Sequence, residues 1–326
     1  MARRLGFLLI LALPALTGCP RPTGRADLRL QAGDRALASN NLEAALVEFR
    51  AAVKLSPQLA EAHSKLGQTF KKAGRLPEAE RELETALRLD PSDFTTTFEL
   101  GDVYQLLKKT AQAIQTYLLA CKLRPDHFDS HFRLASCYHQ SGDLAQATTW
   151  YEKALKIDGR NAEAWSNLGA AHDALGEPYE AIRAYKQSLE RNPRQPVVLV
   201  NLATAYLNQD RYQLAERTLA TAIAIQPTLS IAYERLGYCK WRQRRYPEAG
   251  DQYERAIRLD KSNARALAGL GVVRMTQFLE KSDESLRMQA IDAWHQSLEL
   301  DADQPHLRAL IDKYRKKPAE PVISLD

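Results

Sequence analysis

Two histidines four residues apart, His127 and His131, have the spacing at which a helix presents two imidazoles to one metal ion. His131 falls, however, in a column of bulky residues shared with His63, Trp165 and Tyr233, so the pair reads as packing rather than ligation. Gly269-Leu270-Gly271 opens like a dinucleotide-binding turn, but Arg274 stands where the third glycine belongs and the segment has a helical pattern. Cys121, Cys137 and Cys239 lack metal-type spacing. Cys121 and Cys137 fall on successive helices, which leaves two alternatives, a disulfide or small buried fillers. No phosphate loop, nucleophile elbow or zinc-protease helix is present. These residues require neither cofactor nor metal, and the chain is expected not to be an enzyme.

A different kind of chemistry is signalled at the amino-terminal end. Arg3-Arg4 precede an apolar run from Leu5 to Leu16. That run is too short for a bilayer core of about 30 Å, which takes about 20 residues, and has the pattern of a leader that is removed. It ends Leu16-Thr17-Gly18-Cys19. These four residues resemble the lipobox of bacterial lipoproteins, in which the cysteine becomes the lipidated first residue of the mature chain. The resemblance implies a signal peptide over 1–18, lipidation of Cys19, and a short tether over 19–25. It also implies a protein anchored in the cell envelope and facing the periplasm. Pro20, where an aspartate would mark retention in the inner membrane, favours the outer membrane.

From Ala26 onward the chain repeats with a period of 34. Pro57, Pro91, Pro125, Pro193 and Pro227 lie on that lattice, with Gly159 and Lys261 at the two points lacking proline. A column of small residues runs Gly33, Gly67, Gly101, Ala135, Gly169, Ala203, Gly237 and Gly271. A second is pure alanine, Ala45, Ala79, Ala113, Ala147, Ala181, Ala215, Ala249 and Ala290. Four residues after each alanine stand Phe49, Leu83, Tyr117, Tyr151, Tyr185, Leu219, Tyr253 and Trp294. Much of the chain's excess of alanine and leucine, 47 residues of each, lies in register on this lattice. Small residues where helices cross, with large ones filling the flanking holes, predict pairs of amphipathic helices that bury a continuous core by stacking.

These columns resemble the tetratricopeptide repeat (TPR) family, most clearly in Trp165-Ser166-Asn167-Leu168-Gly169 followed by Ala181, Tyr185 and Pro193. The expected fold is all-α, a right-handed superhelical α-solenoid. Eight TPR hairpins span 26–304, with a seven-residue insertion within 272–290. A capping helix follows over 305–317, opened by Pro305, and then a flexible tail over 318–326. Arg29, Ala32 and Ala36 replace the large apolar residues of later repeats, so the first hairpin is expected to pack least well.

The resemblance also implies that first helices line a concave face where a protein or peptide binds. Residues there form one candidate cluster of Phe98, Phe132, Arg133 and His139, flanked by Glu99, Asp102 and Ser136. A second holds Asn167, Asn201, Arg235, Tyr238, Trp241 and Arg242. Aromatics beside arginine are typical of binding hot spots, although the same rings could simply pack against neighbouring helices. Asn167 and Asn201 resemble the beginning of the asparagine ladder by which some repeat superhelices hold peptide backbones. Of the carboxylate clamp of chaperone-binding relatives only Asn201 and Arg235 are present, with Ser166, Ala170 and Ile231 at the other places. A net charge of +5, from 45 basic and 40 acidic residues, is too balanced for a nucleic-acid footprint. The runs at Arg242–Arg245 and Lys313–Lys317 read as solvated helix faces or contacts to an anionic lipid or polymer. The expected role is a lipid-anchored, pilotin-like scaffold in envelope assembly or secretion, or alternatively an adaptor that delivers substrates to a periplasmic protease or cell-wall hydrolase.

Overall fold

The structure, a computed structural model, describes residues 24–315, and seventeen helices account for nearly all of them. The leader, Cys19 and its lipidation, and the tail over 318–326 lie outside the described residues. Among the described residues no helix is long and apolar enough to cross a membrane. The chain divides at Pro125/Asp126 into two compact units.

The first unit holds three hairpins, α1 (Gly24–Ala38) with α2 (Leu42–Leu55), α3 (Ala60–Lys72) with α4 (Leu76–Leu89), and α5 (Phe94–Leu106) with α6 (Thr110–Leu123). The second opens with α7 (Phe128–Ser141) and α8 (Leu144–Ile157), then α9 (Ala162–Ala174) and α10 (Pro178–Arg191). It continues through α11 (Pro196–Leu207) and α12 (Tyr212–Ile225), α13 (Ser230–Arg242) and α14 (Tyr246–Leu259), and α15 (Ala264–Lys281) and α16 (Glu284–Leu300). A single helix, α17 (Pro305–Arg315), follows. Alternation of first and second helices at the sequence period makes each unit a stack of helical hairpins, an all-α solenoid architecture.

Local signals fix the helix ends. Asp93 caps α5 by accepting from the backbone N–H groups of Thr95 and Thr96, and Asn161 caps α9 by accepting from Ala164. Each turn from a first to a second helix contains one residue in the left-handed region, at positions 40, 74, 108, 142, 176, 210 and 244 on the lattice, and at Ser282 in the last hairpin. At the seven lattice positions the chain closes with a bond from the following N–H to the carbonyl five residues back, as from Arg245 to Lys240 at 3.0 Å, whereas at Ser282 its own N–H bonds Phe278 O at 2.7 Å. Glycine fills only three of these eight positions, and Lys108, Asp210 and Arg244 are among the side chains held at positive φ.

Packing turns on the small-residue column. The large side chain of each second helix, a ring in all but Leu83 and Leu219, lies across the backbone of its partner first helix. A Cβ added at Gly169 would stand 2.7 Å from Tyr185 Cδ1, and one at Gly271 would stand 2.4 Å from Trp294 Cδ1. No residue in the column exceeds alanine, and the opposing large residues are fully buried or nearly so. The alanine column beside them is likewise closed to solvent. Burying one such ring stabilises the fold by about 1.5–3 kcal/mol. His131 packs inside this core against Trp150, with 5.6 Å between ring centroids, and Cys121, Cys137 and Cys239 are all buried.

The ends differ from the middle. Helix α1 buries only Ala26, Leu30 and Gly33. In the last hairpin the surplus residues lengthen both helices, to 18 and 17 residues against 13 and 14 in α13 and α14. Leu307 and Ile311 of α17 close that end by packing with Met275, Ala290 and Trp294.

Arg244 is exposed and enters no ion pair among the described residues, so its side chain contributes little beyond the strain of its positive φ. Arg244→Gly is expected to raise stability by about 1 kcal/mol in denaturant unfolding, although glycine placed inside a helix lowers it by a similar amount.

Candidate functional site

The outward residues of the first helices form a separate face in each unit. In the first unit they are largely paired with one another. Lys65 of α3 donates to Asp34 of α1 at 2.8 Å, and Lys71 of α3 bridges to Glu99 and to Asp102 of α5, the latter at 2.9 Å. Tyr117 donates its hydroxyl proton to Asp102 at 2.6 Å. Burial alone would lower the pKa of the Lys71 ammonium, but its bonds to the two carboxylates outweigh this and raise it. Phe98 is half-buried, stacked on Phe94 with 6.0 Å between centroids and tilted against Tyr117 at 5.8 Å.

In the second unit the first-helix face is less committed. Phe132 packs as Phe98 does, 5.7 Å from Phe128 and 5.8 Å from Tyr151, against a core cluster of α7 to α10. Arg133 is exposed and His139 half-buried on the same helix, and neither side chain has an ion pair or hydrogen bond among the described residues. Asn167 is half-buried near Tyr151, whose phenol burial pushes up to about 12 while the Ser136 and Asn167 side chains pull it the other way. Asn201, half-buried on α11, makes no side-chain hydrogen bond among the described residues. Asp173 on α9 likewise has no cationic partner there, and burial raises its pKa.

On α13 the cluster is organised. Arg242 donates to the Tyr238 hydroxyl at 2.8 Å and to Asp210 at 2.7 Å, and its guanidinium lies 5.3 Å from the Tyr212 ring. Asp210 and Tyr212 belong to the turn and second helix of the preceding hairpin, so Arg242 ties two hairpins together. Trp241 stands 6.0 Å from Tyr238 between ring centroids, and both rings rest on the core cluster beneath while keeping one side open. Arg235, one turn earlier, reaches Glu234 only at 3.3 Å through Nη1, and its Nε is enclosed with no partner. Glu234 is 5% exposed; burial raises its pKa, against the opposing pull of Arg235 and Arg265. The structure thus gathers Arg235, Tyr238, Trp241 and Arg242 on one helix. Among the described residues no group of three or more His, Cys, Asp or Glu is placed to hold a metal ion.

Residues 29–269 match the family described as the cilia and flagella-associated protein 70 C-terminal domain, a TPR domain. The chain belongs to this tetratricopeptide repeat family. Solved TPR structures share its fold. The C-terminal part of a TPR protein from Cytophaga hutchinsonii is 18% identical with a TM-score of 0.64, over 74% of this chain and 99% of that one. MamA is 23% identical with a TM-score of 0.51, over 53% of this chain and 94% of MamA. YrrB, described as a TPR protein with an unusual peptide-binding site, is 21% identical with a TM-score of 0.52, over 56% of this chain and 95% of YrrB. No curated protein matches.

The TPR lattice shows what the sequence reading passed over. Glu234 stands in a column that holds Ser64, Phe98, Phe132, Ser166, Val200 and Ala268, where a carboxylate is out of keeping, and that mismatch was the available signal. Asp210 and Tyr212 carried no such signal, because their role depends on the turn that brings them against α13.

Because the folded chain holds the Glu234 proton more tightly than the unfolded chain, ionised Glu234 destabilises the fold above its raised pKa. The penalty disappears as pH falls below the ordinary carboxylate value of 4.5. Glu234→Gln is therefore expected to raise the thermal midpoint near neutral pH, and the gain should fade in acid; thermal unfolding of both proteins across pH checks this.

Proposed function

We propose that the chain is a lipid-anchored scaffold of the bacterial envelope that holds an extended segment of a partner protein during envelope assembly or secretion, as a pilotin does. The segment lies along the first-helix face of the second unit, the concave side that such repeats present. Polar groups there that lack protein partners carry the reading, above all the enclosed Arg235 Nε beside the ordered Tyr238–Trp241–Arg242 cluster. A buried donor left unpaired lowers stability by about 1–3 kcal/mol, and a turn of the partly exposed Arg235 side chain toward a ligand acceptor would recover that loss on binding. Aromatic rings with one side open, beside a guanidinium already fixed by Asp210, lose little conformational entropy when a partner covers them. The first-unit face, with its lysines paired to carboxylates, offers fewer such groups. YrrB gives a same-fold precedent for peptide binding. The lipobox-like Leu16–Cys19 segment supports the anchor and the envelope location.

Truncating a hot-spot pair typically weakens binding by about 2 kcal/mol or more, roughly 30-fold in Kd. Crosslinked envelopes containing Trp241→Ala/Arg235→Ala protein should lose at least one partner that co-purifies with the wild type. Identical partner profiles from a folded double variant would remove this face from the account.

A further inference from the structure

Between α8 and α10 a cleft of about 530 Å³ opens over α9, floored by Trp165 and Leu168 and walled on one side by Arg183 and Gln187. The opposite wall, Leu155 and Lys156, comes from the second helix of the preceding hairpin. Four periods earlier the floor and near wall become Arg29, Ala32, Val47 and Ala51 of the first hairpin. No preceding second helix stands there among the described residues, so half of the cleft is an open end face.

The makeup of this face differs from that of an interrupted stack, since Arg29 and Ala32 replace the large floor residues. Leu28 is 61% exposed and Val47 60%. Leu28 lies in an α1 stripe of Arg25, Leu28, Ala32 and Arg35, and Lys54 lies two turns along α2 from Val47. Arg25, Arg35 and Lys54 are exposed and carry no ion pair among the described residues, whereas Arg29 is tied to Glu48 at 2.8 Å and Arg50 lies over Phe70. Glu43 is the carboxylate on the α2 stripe.

Two separated apolar side chains amid three uncommitted cations are too sparse for a dry protein interface. They suit a surface that offers anionic headgroups to the cations and an acyl boundary to Leu28 and Val47. Cys19 precedes Gly24 by five residues, a reach of at most about 18 Å. A bilayer holding Cys19 would thus remain close to this face, and weak contacts would be multiplied by the tether. A second copy stacking end to end would bring α17 against the face, and on that helix the exposed Arg308, Lys313 and Arg315, of the same sign, outnumber Asp312.

We propose that the open face of the α1–α2 hairpin docks on an anionic lipid bilayer and so fixes how the first unit lies on the membrane. This rests on the lipid-anchor reading above. The test uses the lipidated full chain in phosphatidylglycerol-containing vesicles with a headgroup-attached quencher, and a fluorophore on Val47→Cys or, as a control in the same unit, on Leu106→Cys. Quenching several-fold stronger at position 47 is expected, falling to the control level in the Arg25→Glu/Arg35→Glu/Lys54→Glu variant and in pure phosphatidylcholine vesicles. Equal quenching at both positions on protein that floats with the vesicles would overturn the docking and leave the anchor standing. Self-association with no difference in quenching would assign the face to a second copy and overturn the docking. Protein that does not float would overturn the anchor reading, and the docking with it.

Discussion

Everything in this molecule depends on a large apolar side chain from each second helix, a ring in six of the eight hairpins and leucine in the other two, lying against a backbone that has no room for a side chain larger than methyl. The contact sets how closely the paired helices approach and hides the large side chain from water at every period. Neither helix of a pair could bury its apolar side alone, and the alanine column lets the next contact form at the same depth. A chain built this way has one side of each first helix fixed by packing and the opposite side free to vary.

That freedom is used differently in the two units. Outward residues of α1, α3 and α5 neutralise one another through Asp34–Lys65 and Lys71–Asp102, so this face is held by its own charges. On α13, Arg242 is oriented by Asp210 and Tyr238 with its neighbours left open, and Arg235 retains an enclosed donor without a partner. Glu234, buried beside it against its own ionisation, lowers stability in the free protein. Two groups that lower the stability of the isolated fold thus lie beneath the half-open rings of Tyr238 and Trp241.

Most of the fold was legible in the sequence because it is written in columns. Gly169 against Tyr185 and Ala181 beside them are recoverable from spacing alone, since each repeats on a strict lattice. The left-handed turn residue was not, although it recurs just as strictly. Its requirement is conformational, and Lys108, Asp210 and Arg244 meet it at some strain without betraying it by residue type. The division into two units at Pro125/Asp126 was also invisible, because the period runs through it without a break. For the site, Tyr238 and Arg242 are one helical turn apart and could be paired on paper. The hold of Asp210 on Arg242 crosses between hairpins, which spacing does not report.

A double-mutant cycle at Gly169 and Tyr185, followed by denaturant unfolding, tests the ring-on-backbone contact most directly. Helix propensity alone would make Gly169→Leu stabilising by up to about 1 kcal/mol. The contact predicts instead a loss of about 1–3 kcal/mol, with Gly169→Leu and Tyr185→Ala coupled by about 1 kcal/mol or more, because removing the ring makes room for the leucine. A stabilising Gly169→Leu, or losses that simply add, would contradict the account.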